Sequence, residues 1–345
     1  MTNPELLPGG TFDRFVACRA EQDLFSGTVL LAHRGRPVLT RSYGMAGEGV
    51  PNGPDTVFSL ASVTKCFTGL AIAQLVHQGK VAFHAQLSDY LTGFPAGVTV
   101  HQLLTHTSGL GRPPVGTGPL PVWDSVEATV EGTLALIRQT PPRFAPGTGY
   151  GYSNDAFWVL GAIVAKVSGL SYFDYVRRNV FAMAGMTRSD FHTRPQVLVD
   201  PRIARPYWTQ PSGGRGDFTA TPHHWFVGGP DGGAYATAGD LLRFATALRA
   251  GRLLPPALVG LVTGGKLPVP PGERPTTADQ WLTGYGFEDH VYGRRHVFGH
   301  PGSGPGRATN LDVFPGDEWV AVVLGNYDTS IGPIVDLARH LVSRS

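Results

Sequence analysis

Along the first eighty residues the spacing of apolar positions changes period. Residues 11–22 (TFDRFVACRAEQ) follow a Gly-Gly pair and place Phe12, Phe15, Val16 and Ala20 on one helical face, with Thr11 as the expected N-cap. Residues 27–33 (GTVLLAH) and 37–43 (PVLTRSY) flank Arg34-Gly35-Arg36 and predict a hairpin. The helical period returns over 62–79 with Phe67, Leu70, Ala71 and Leu75, and Gly79 ends it. Between about 86 and 227, predicted helices at 126–139, 155–168 and 171–181 alternate with Pro-rich loops. A helix over 238–250, strands at 291–298, 307–314 and 318–325, and a helix over 331–343 complete the pattern.

Strands at both ends and helices in the middle predict an α+β fold, with one antiparallel sheet assembled from the two termini and flanked by terminal helices. The expected division is an α/β domain from 1–85 and 228–345, and a mainly helical insertion with long loops over 86–227.

Composition narrows the function classes. The chain has 345 residues, 42% hydrophobic and 16% charged, which suits an ordinary globular protein. Its formal charge is +2 and no basic run is interleaved with aromatics, so no nucleic-acid partner is expected. No run of about 18 apolar residues predicts a membrane span. The start MTNPELLPGG lacks a basic stretch followed by an apolar one, so a cytoplasmic location is expected. Cys18 and Cys66 are then expected as reduced thiols. His101, His106, His223 and His224 do not fall at metal-ligand spacing, and neither metal nor cofactor is expected.

Only four of the 28 basic residues are lysine, and one of them is Lys65 in Ser62-Val63-Thr64-Lys65. Lysine can lose its proton where arginine cannot. Three residues apart on a helix, Ser62 and Lys65 share a face, so the amine can act as base for the hydroxyl. Chance alone gives such a pair ~0.2 times in this composition, and a helix cap with a solvated lysine explains it equally well. Tyr152-Ser153-Asn154 is rarer, at ~0.01 chance occurrences. A phenol beside a lysine can shuttle the proton, and the Asn154 amide can hold an acyl carbonyl and orient Lys65. Ser153 or Asn154 also suits the N-cap of the helix predicted at 155–168. In His300-Pro301-Gly302-Ser303, an edge strand beside the nucleophile would aim the Ser303 N–H at a substrate carbonyl, with the Ser62 N–H as second donor. Gly302 would let backbone approach ligand closely. A plain Gly/Pro turn is the competing explanation.

These three pieces, in this order, resemble the serine β-lactamase and penicillin-binding-protein superfamily, and within it the branch of class C β-lactamases, D-aminopeptidases and related esterases. GTVLLAHRGRPVLTRSYG, TVFSLASVTKCFTGLAIAQLV, VTVHQLLTHTSGL, FAPGTGYGYSNDAFWVLGAIVAKVSG, GGPDGGAYATAGDLLRFATAL, GYGF and GHPGSGPG carry the likeness. The resemblance implies a β-lactamase/transpeptidase-like fold with the site between sheet and helical domain. It also implies Ser62 as acylated nucleophile, Lys65 as base, Tyr152 as shared acid and base, and Asn154 as carbonyl-binding amide. His300 stands where such relatives carry the lysine of a Lys-Thr-Gly motif, and Pro301 removes a hydroxyl and an N–H. A neutral imidazole brings no fixed charge. Both departures favour ester or acyl-transfer chemistry over β-lactam hydrolysis.

The expected activity is therefore hydrolysis of a small-molecule ester or amide through acyl-Ser62. An acyltransferase or peptide-cyclising enzyme using the same intermediate is the alternative, and a β-lactamase, DD-peptidase or inactive binding homologue comes after it. No G-x-S-x-G elbow, H-E-x-x-H, P-loop or strand-helix G-x-G-x-x-G is present. His106-Thr107-Ser108-Gly109 reads as a structural turn. Cys66, turned about 100° from Lys65 on the helix, reads as a core thiol. Tyr207, Trp208, Trp225 and Phe226 either line a substrate pocket or anchor a long loop. Arg307 is a candidate for the positive charge that His300 lacks.

Overall fold

A computed structural model describes residues 3–111, 121–272, 277–293 and 295–344. One antiparallel sheet contains β1 (Gly27–His33), β2 (Arg36–Tyr43), β3 (Leu267–Pro268), β4 (Gln280–Thr283), β5 (Glu288–Tyr292), β6 (Arg295–Gly304), β7 (Arg307–Phe314) and β8 (Trp319–Gly325). Their order across it is β2-β1-β8-β7-β6-β5-β4-β3. Strands from the two ends of the chain are thus neighbours, with Gly27 opposite Gly325 and His33 opposite Trp319.

Alternation along these strands feeds two separate cores. Val29, Leu31, Ala321 and Val323 pack with Phe12 and Val16 of α1 (Thr11–Glu21) and with Ile334, Ala338 and Leu341 of α6 (Gly332–Ser343). Leu30, Ala32, Val320, Val322 and Leu324 face the other way. They join Phe67 and Leu70 of α2 (Thr64–His77) and Leu241, Phe244 and Leu248 of α5 (Ala238–Arg249). Because both faces are covered, β1 and β8 read as near-continuous apolar runs. The second core continues without a break into Leu134 and Ile137 of α3 (Val126–Gln139) and Phe157, Leu160 and Ile163 of α4 (Asn154–Ser168).

The antiparallel sheet with flanking helices is as expected, and several boundaries differ. Gly10, not Thr11, caps α1, while Thr11 Oγ1 donates to Glu5 Oε1 at 3.1 Å. The single strand expected at 291–298 is the end of β5 and the start of β6, on either side of Gly293 at φ +62°. The segment 171–181 is an α-turn over Tyr172–Val176 followed by a π-turn over Arg177–Phe181. The helix expected from 62 begins as a 3₁₀ turn, Ala61–Val63, and becomes α-helical at Thr64. Both cysteines are free thiols, Cys66 buried and Cys18 exposed. Among the described residues no single helix is long and apolar enough to cross a membrane.

Candidate active site

The turn that carries Ser62 is held from three sides. Leu60 N–H donates to Ala234 O at 2.8 Å, and Thr309 Oγ1 donates to Leu60 O at 2.8 Å. Ala61 then adopts φ +46°, a left-handed conformation uncommon for a residue with a Cβ. That bend leaves Ser62 partly exposed while its neighbours Ala61 and Val63 are buried. β6 lies directly against this turn. A Cβ at Gly302 would fall 2.5 Å from Leu60 O, 3.1 Å from Ala61 Cβ and 2.3 Å from Thr309 Oγ1. Gly302 thus serves an approach of chain to chain, which differs from the expected approach to a ligand.

Lys65, one turn along, is fully buried. Its Nζ lies 3.1 Å from Ser62 Oγ, 2.8 Å from Asn154 Oδ1 and 2.6 Å from Asp231 O. It also sits 4.8 Å from the ring centroid of Tyr152 and 5.3 Å from that of Phe157. Asn154 is the first residue of α4, and the cap itself is Ser153, whose side chain accepts from Ala156 N–H. Capping and contact with Lys65 are therefore divided between neighbouring residues.

The Asp231 carbonyl is a contact that sequence spacing does not reveal. It belongs to Gly228-Gly229-Pro230-Asp231-Gly232-Gly233, whose glycines let the loop lie flat on α4. A Cβ at Gly229 would meet Trp158 at 2.0 Å, and one at Gly161 would meet Pro230 at 2.2 Å. Thr68 Oγ1 and Thr64 Oγ1 of α2 tie the same loop down through Pro230 O and Ala234 N–H. The only sequence signal was the glycine density itself.

Tyr152 stacks on His106, with ring centroids 4.4 Å apart and planes 29° apart. His106 has φ +61° and is 4% exposed, and its Nδ1 accepts the Ser153 N–H at 3.0 Å. Because Nδ1 accepts, the ring proton sits on Nε2. The turn expected at 106–109 is present, and beyond that role its histidine forms the floor of the Tyr152-Ser153-Asn154 segment.

His300 lies 6.3 Å from Tyr152, ring to ring, and is 2% exposed. Its Nδ1 donates to Pro301 O, and its Nε2 is 3.8 Å from Glu288 Oε1 on β5. The same carboxylate meets His290 Nε2 at 3.3 Å. Nδ1 of His300 thus meets a backbone carbonyl, and Nε2 faces the Glu288 carboxylate across 3.8 Å. Ser303 is exposed at the far end of β6.

The aromatic segment is divided. Tyr207 packs on Tyr327, Trp208 on Phe218, and Phe226 on the large core. Trp225 lies at the Arg307 guanidinium, 5.9 Å away. Cys66 faces the core, and burial pushes its thiol well up.

The family model described as Beta-lactamase matches residues 12–343. Among curated relatives, Penicillin-binding protein 4* of Bacillus subtilis (strain 168) is 34% identical over 50% of this chain and 40% of its own length. Esterase EstB of Burkholderia gladioli is 32% identical over 67% of each chain. The chain thus spans well under half of the first relative and about two thirds of the second. The crystal structure of the penicillin binding protein from Bacillus halodurans superposes with a TM-score of 0.79 at 28% identity, covering 94% of this chain and 98% of that one.

Proposed function

The chain belongs to the Beta-lactamase family of serine hydrolases, and from that premise we propose that it cleaves an ester or amide of a small molecule through an acyl-Ser62 intermediate. The observation that carries this is the set of contacts at the buried Lys65 amine. Asn154 Oδ1 and Asp231 O only accept, so they fix two N–H directions. The third direction faces Ser62 Oγ, where a neutral amine presents its lone pair and takes the hydroxyl proton. Tyr152, beside the amine, passes that proton to the leaving group and then draws one from water. The N–H groups of Ser62 and Ser303 receive the oxyanion, at a separation set by the seating of Gly302 on Leu60. With Oδ1 on Lys65, the Asn154 amide N–H₂ is left for the acyl carbonyl.

Hydrolysis and transfer differ only in what attacks acyl-Ser62, so product analysis with added alcohols or amines reads the partition between them. A fluorophosphonate is expected to add its mass at Ser62, and p-nitrophenyl esters to turn over. Ser62→Ala is expected to lose both; full turnover by that variant refutes the proposal.

A further inference from the structure

Arg307 and Arg339 are equally buried, each 8% exposed. Arg339 is matched by a carboxylate: Nε and Nη2 donate to the two oxygens of Asp312 at 2.7 and 3.0 Å, and Nη1 to Tyr292 Oη at 2.8 Å. Arg307 has no such match among the described residues. Its Nη1 donates to Ser59 Oγ at 3.2 Å, and its Nε is buried with no acceptor. Burial is the main influence on the guanidinium and pulls its pKa down, against the longer-range pull of Tyr235 and Asp231. A buried cation without a partner is costly, and folds retain one where something else completes it.

The position of Arg307 says what completes it. His300, Gly302 and Gly304 alternate onto one face of β6, opposite Leu311, Thr309 and Arg307 of β7. This is the face that meets the Ser62 turn. A Cβ at Gly304 would lie 3.4 Å from Arg307 Nε and Nη2, so the guanidinium lies over that end of the strand. Tyr152 lies against His300 at the other end. A carbonyl held at Ser303, between the two, directs its leaving group toward Tyr152 and its acyl chain toward Arg307. Trp225 covers the guanidinium and is itself 40% exposed, so one exposed side chain stands over the buried cation.

We propose that Arg307, covered by Trp225, is a carboxylate-binding subsite on the acyl side, and that the acyl donor is a half-ester or half-amide of a short dicarboxylic acid. This rests on the acyl-Ser62 mechanism. Because Gly304 directly follows Ser303, only a few carbons separate the scissile carbonyl from the acid.

The test compares p-nitrophenyl hydrogen glutarate with p-nitrophenyl methyl glutarate, its neutral counterpart. In the wild type, kcat/KM for the free acid is expected to exceed that for the methyl ester by about 10- to 100-fold, the range for a hydrogen bond to a charged group. Arg307→Gln is expected to bring that ratio near one, and Arg307→Lys to retain part of it. Equal turnover of the two esters by the wild type overturns the subsite, even if Arg307→Gln does not fold. A ratio that Arg307→Gln leaves intact overturns it as well. Either result with Ser62-dependent turnover sinks the subsite alone. Turnover that survives Ser62→Ala sinks the underlying mechanism.

Discussion

His106 bears on where Tyr152 stands. Its ring supports the phenol from below, and its Nδ1 holds the Ser153 N–H. His106→Phe keeps the stacking surface and removes the acceptor. It is expected to lower kcat by about 10- to 100-fold with little change in KM, as loss of positioning does. His106→Asn, which can still accept the Ser153 N–H, should recover part of the loss. A fall confined to KM would contradict this role. At this scale the sequence carried much of the site. Ser62 and Lys65 were legible because helical geometry fixes residues three apart on one face. Tyr152 and Asn154 were legible because three unusual neighbours coincided. His106, Glu288 and the Asp231 carbonyl were not, because they act from behind other residues or through backbone, and neither leaves a spacing in the text.

Among the elements, α2 is placed as closely by glycine as by its apolar face. A Cβ at Gly69 would fall 1.9 Å from Tyr285 O, and one at Gly286 would fall 2.3 Å from Lys65 O. Gly286 also requires φ +77°. These two glycines let α2 rest on the turn between β4 and β5, which fixes the height of Lys65. Two effects compete in Gly69→Ala. Helix propensity favours alanine by about 1 kcal/mol. Overlap with a backbone carbonyl costs about 1–3 kcal/mol or more, and since the oxygen has no rotamer to escape into, overlap wins. The variant is expected to lose stability in urea unfolding and to lose activity with it; a gain in stability would mean that α2 can shift freely. Elements with one clear period were legible, as the match at 27–33, 126–139 and 307–314 shows. The join of β5 and β6 was not, because Val291, Val297 and Phe298 read as one apolar strand when a turn in fact divides them.

Across the whole molecule, buried histidines make stability depend on acidity. Burial, and then the charge of Arg307, lower the His224 pKa to about 4. Its Nδ1 donates to Trp225 O at 2.9 Å, which pulls the other way without overcoming them. Between pH 6.5 and 4 the unfolded chain binds a proton there that the folded chain refuses, so stability falls as pH falls through that window. The contribution is on the order of 3 kcal/mol. His101 and His192, also lowered chiefly by burial, act in the same direction. Urea midpoints are expected to drop between pH 7 and 4.5, and His224→Gln to flatten that slope; an identical slope in the variant would exclude His224 as its source. The sheet order also has a consequence during synthesis. β1 must wait for β8, about 285 residues later. At 5–20 residues per second that delay is roughly 15 to 60 seconds. Until then one edge of β1 is open to the wrong partner. β6, which lies against the Ser62 turn, leaves the ribosome only shortly before β8, so a partly made chain carries Ser62 and Lys65 without the strand that faces them.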